Sequence, residues 1–79
     1  MNKDHEEMKK FLEEQGEWCK WQDSILEEIE IKLHEMRKLA EYACVQELTP
    51  NEASKLNEQL NILKQEVYAL EQQLQSEVH

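Results

Sequence analysis

Glycine and proline are almost missing from this chain: one of each in 79 residues. A sheet protein with many tight turns needs both residue types at its corners, so that class is excluded. Cysteine is scarce too. Cys19 and Cys44 fall on one expected helix, where 1.5 Å per residue separates them by roughly 37 Å, too far for a disulfide within the chain. With no disulfide framework, the expectation is an intracellular, cytoplasmic protein in a reducing compartment. No apolar run approaches the roughly 20 residues that cross a bilayer. The opening MNKDHEEMKK has no apolar signal-peptide core. Basic residues are outnumbered, 9 against 18 acidic, for a net charge of −9. Phosphate and anionic lipid need Lys and Arg, so neither a nucleic acid nor a membrane is an expected partner.

Residues that carry chemistry are also missing from useful places. A single Gly cannot build a phosphate-cradling loop, and the cysteines have no CxxC spacing. His5, His34 and His79 stand apart, two of them at the ends, with no HxxxH pair; they read as solvated surface residues. His34 has Glu30 and Lys38 four residues to either side, which is ordinary surface-helix pairing. Neither cysteine has a histidine at helical spacing to act as its base. A di-metal bundle would need carboxylates and His on its inner lines. Here those lines hold only Glu47 and Glu77, at the ends. No enzyme activity, cofactor, metal or small-molecule substrate is expected.

What remains is Glu, Gln, Leu and Lys, the composition of long helices. Asp4 is a candidate cap for a first helix that runs to about residue 47. Written as a seven-residue repeat, its a line is Met8, Gln15, Gln22, Ile29, Met36 and Ala43. The d line is Phe11, Trp18, Ile25, Lys32, Leu39 and Gln46. The e line is Leu12, Cys19, Leu26, Leu33, Ala40 and Glu47. The f line, from Glu6 to Glu41, is wholly polar. An apolar stripe three lines wide opposite a polar line belongs to a bundle helix, and is broader than a two-line zipper seam. Gly16 and two glutamines weaken the first third, so residues 1–18 are expected to be a less stable helix end, with a mobile or partner-dependent segment as the other reading.

The stretch Gln46 to Leu56, QELTPNEASKL, punctuates the repeat. Thr49-Pro50-Asn51-Glu52 matches a capping box with proline at the first helical position. Proline also pushes the preceding residue out of the α region. A second helix is therefore expected from about 50 to 77. Its lines, Ala53-Leu60-Val67-Leu74 and Leu56-Leu63-Leu70, have heptad spacing.

If the chain reverses near Leu48, facing residues have numbers summing to about 96, because both helices rise equally. That rule gives six apolar layers: Ala43 with Ala53, Ala40 with Leu56, Met36 with Leu60, Leu33 with Leu63, Ile29 with Val67, and Leu26 with Leu70. Gln22 with Leu74 and Cys19 with Glu77 follow, less apolar. The expected fold is thus all-α: one module over 1–79, an antiparallel coiled-coil-like hairpin dimerising into a four-helix bundle. A kinked continuous helix in a parallel dimer is the structural rival.

Such a hairpin leaves Met8, Phe11, Leu12 and Trp18 beyond the second helix. Ile25, Leu39, Ile62 and Ala69 form a second apolar edge, with Trp21 off the main stripe. Apolar surface of this extent marks a contact site. The expected interaction residues are therefore Met8, Phe11, Leu12, Trp18, Trp21, Ile25, Leu39 and Ile62. The expected function is a non-enzymatic oligomerisation or scaffolding module whose partner is a second copy or another helical protein. A cytoskeletal, centrosomal or chromosome-associated location, as part of a larger protein, is an expectation by association with composition alone. The other reading is a small acidic regulatory adaptor or inhibitor that presents residues 8–21 to a different protein.

Overall fold

A computed structural model describes residues 2–76. Two helices make up the described chain: α1, Asn2–Val45, and α2, Pro50–Ser76. They fold back on each other into a rod 71 × 20 × 11 Å. The hairpin, not the continuous helix, is what forms.

The break lies where the sequence punctuates. The last helical hydrogen bond of α1 runs from Gln46 N–H to the Tyr42 carbonyl, 3.0 Å. The first of α2 runs from Ala53 N–H to the Thr49 carbonyl, 2.9 Å. Between them, Thr49 Oγ1 accepts from the Glu52 backbone N–H at 3.1 Å, filling one of the orphan donors at a helix start. The hydroxyl itself donates to Glu52 Oε1 at 3.0 Å. The box is therefore closed side chain to side chain, where the usual form returns the Glu to the cap's own N–H. Residues 46–49 form the connection, two residues more than the expected two-residue turn, because α1 ends at Val45. α1 starts at Asn2, which places Asp4 in its first turn instead of at its cap. The expected end of α2 at Glu77, the Cys19–Glu77 layer, and Val78 and His79 lie outside the described residues.

The core is small. Ile25, Ile29, Val67 and Leu70 are each 8% exposed and form one cluster, against which Trp21, Met36 and Leu74 pack. In α2 the residues turned inward include Leu56, Leu60, Leu63, Val67, Leu70 and Leu74, the expected heptad lines. In α1 they are Gln22, Ile29, Met36 and Ala43 with Trp18, Ile25, Lys32 and Leu39, that is, the a and d lines. The expected pairing used the a and e lines, and half of it is corrected. Leu26 and Leu33 remain 43% and 46% exposed, and Ala40 and Ala53 are exposed as well. A two-line seam on α2 can cover only two of the three apolar lines on α1. The d line wins because it brings Ile25, Leu39 and the neighbouring Trp21 under cover.

Candidate interaction surface

Lys32 sits in the d line, half-buried, between apolar layers. A lysine there keeps its stem along the seam and sends its ammonium outward. It meets the Glu66 carboxylate of α2, an ion pair bridging the two helices. The hydrogen bond that Lys32 Nζ donates to the Glu66 carboxylate holds the Lys32 pKa above its usual value, opposed by burial and aided by the charges of Glu66, Glu35 and Glu28. The pair links α1 and α2 at one level of the hairpin.

The apolar surface left over falls in three places. The first is the overhang. α2 has 27 residues against 44 in α1, so at equal rise Ser76 stands level with about residue 20. Beyond it Met8, Phe11 and Leu12 are 54–60% exposed. Met8 and Leu12 line a shallow groove with His5, Lys9 and Glu13.

The second place is one flank of the rod, where Leu39, Ile62 and Leu63 line a groove with Glu35, Lys38 and Gln59. Ile62 is open there, and Leu39 is half-buried. The expected apolar edge thus keeps Leu39 and Ile62 together but loses Ile25, which belongs to the core. Trp18 and Trp21 are half-buried, and Trp21 packs on the core cluster. They share a recess with Glu14 and Glu17 at the point where α2 ends.

The third place is the e line of α1, which the heptad pattern alone places on the inner seam. Leu12, Cys19, Leu26, Leu33 and Ala40 are all exposed. The expectation that Cys19 is a small core residue is corrected with them; both cysteines are free and exposed. Heptad spacing sets these five residues along one edge of the helix, and that spacing was visible in the sequence. Tyr42 and Tyr68 add exposed aromatic surface that the sequence reading gave little weight.

Among the described residues, no three His, Cys, Asp or Glu side chains gather where they could hold a metal ion. No described helix is long and apolar enough to cross a membrane. The molecule is a two-helix hairpin. Comparison with protein-family models, with curated proteins and with solved structures finds no match.

Proposed function

We propose that this hairpin is a non-enzymatic interaction module that self-associates, two copies forming an antiparallel four-helix bundle. One observation carries the reading. Among the described residues four hydrophobic side chains are buried, while ten large ones stand exposed. Full burial of such a side chain stabilises by roughly 1.5–3 kcal/mol, so covering even four or five per chain outweighs much of the cost of association. A chain this small also gains a larger core by doubling. The net charge of −9 favours a protein partner over a nucleic acid.

Size-exclusion chromatography with light scattering tests this directly. The expected mass is twice the 9.5 kDa of one chain. A monomer at all concentrations, melting in one sharp transition, would overturn the proposal.

The exposed overhang supports a second reading, in which Met8, Phe11 and Leu12 are the anchors for a different helical protein. That reading expects a dimer that is weak or absent. It also expects Met8, Phe11 and Leu12 replaced together by Ser to abolish capture of the purified partner at unchanged helicity.

A further inference from the structure

We infer that the hairpin has two seams available to it: α2 can seat on the a and e lines of α1 as well as on the a and d lines it occupies, and the Lys32–Glu66 ion pair selects between them. The device belongs to a single chain and does not depend on self-association.

Axial levels come first. Facing numbers that sum to about 96 set Ile29 against Val67 and bring Ile25 within one residue of Leu70, and these four side chains are the buried cluster. The same levels set Leu26 against Leu70 and Leu33 against Leu63. Exchanging Ile25 for Leu26 opposite Leu70 shifts the level by one residue, or 1.5 Å. One seam therefore becomes the other by rotation of α1 about its axis, with almost no slide along it. Successive residues of a helix stand about 100° apart, and moving the seam's centre from between a and d to between a and e takes roughly half of that. The a line, with Ile29 and Met36, stays inside throughout. Leu26 and Leu33, 43% and 46% exposed, already border the seam.

The balance can be read layer by layer, because each d residue gives way to the e residue that follows it. Ile25 for Leu26 exchanges isomeric side chains. Leu39 for Ala40 loses most of a side chain, and the rotation also uncovers Trp21, which packs on the core. Both changes favour the d line. Lys32 for Leu33 favours the e line, because a lysine in a seam must send its ammonium out to a partner. Glu66 is that partner. With Glu66 in place the d line wins; with the charge at residue 32 reversed, the same layer counts for the e line. A ligand or a charge shifts such an equilibrium by its differential interaction with the two states. What changes outwardly is the apolar edge on show: Leu26 and Leu33 in the observed seam, Ile25, Leu39 and Trp21 in the other.

The two edges can be followed together. In a chain with Cys19→Ser and Cys44→Ser, Leu26→Cys supplies one thiol on the e line, about 9 Å along the helix from Lys32. Its alkylation by iodoacetamide reports the e edge, and acrylamide quenching of Trp18 and Trp21 reports the other. Adding Lys32→Glu sets two carboxylates together in the d seam. It is expected to slow alkylation about fivefold or more and to increase quenching, with helicity by circular dichroism unchanged. Glu66→Lys added to Lys32→Glu restores an opposite pair and should return both readouts to their starting values. Leu39→Ala, which changes no charge, should move both readouts in the same direction by a smaller amount. A hairpin with one seam only would loosen instead: Lys32→Glu would leave alkylation as fast or faster, and helicity would fall. That result overturns the inference, as does a failure of Glu66→Lys to restore or a thiol at position 26 that is already protected in the starting chain.

Discussion

Residues 2–19 and residues 20–45 of α1 carry the same kind of apolar pattern, and the structure treats them differently. Ile25 and Ile29 are buried; Phe11 and Met8, on the same d and a lines, are more than half exposed. Nothing in the local sequence of the two halves decides this. The second half has α2 beside it and the first half does not. An amphipathic stripe thus states a requirement for cover, and the length of the neighbouring helix decides how much of that requirement one chain can meet. The part left unmet is the surface we propose for interaction.

The sharpest way to break the comparison is to remove apolar volume from each half. Leu70→Ala takes a quarter of the core cluster. Loss of a buried leucine costs about 2–5 kcal/mol, here toward the lower end because the site is near the surface and can collapse. Phe11→Ala, at a position 54% exposed, should move the same melt by no more than about 0.5 kcal/mol. Thermal unfolding followed by far-ultraviolet circular dichroism compares the two. Equal effects would mean that the overhang is packed in solution as tightly as the core.

Next comes the hinge that lets α2 cover α1. Thr49→Ala removes the hydroxyl that accepts from the Glu52 N–H, which should cost about 1 kcal/mol. Thr49→Ser should recover most of it, because serine caps as well as threonine. Urea unfolding midpoints at a shared slope would measure both.

Most of this architecture was legible in the sequence. The break near Thr49-Pro50, the inner lines of α2 and the a line of α1 follow from capping chemistry and heptad spacing. The choice between the d and e lines did not follow. Lys32 makes the d line look polar, whereas Leu26 and Leu33 make the e line look like a seam. The missing signal was across the hairpin: Lys32 and Glu66 stand at nearly facing levels and have opposite charges. A lysine in a seam is tolerable when its ammonium can leave the seam and meet a carboxylate. Reading the helices singly hides such a pair, and with it the identity of the exposed edge.

Lys32 offers a smaller and more specific test of the doubled half. Its pKa is held above the ordinary 10.5. A raised folded-state pKa means the stabilisation is complete below the unfolded value and is lost as pH rises through the folded one. Wild-type hairpin should therefore lose stability relative to Lys32→Met only on the alkaline side, above pH 10.5. Parallel pH profiles would show that the ion pair contributes nothing in solution. The pair is exposed enough that high salt should also shrink the difference.

The smallest effect belongs to the overhang and sharpens the contrast from the other side. Gly16 lies in the first third of α1, and a Cβ built on it meets nothing within 4 Å. Its cost is therefore purely one of helix propensity, about 1 kcal/mol against alanine. In the doubled half such a gain would add to the stability of the whole fold. In the overhang, which extends beyond the described end of α2, Gly16→Ala should raise helicity and slow amide exchange around residues 8–20 while leaving exchange of Ile25, Ile29, Val67 and Leu70 unchanged. Should core protection rise by the full fivefold or so that about 1 kcal/mol corresponds to, the two halves unfold as one unit, and the overhang is coupled to the core through the proposed second copy.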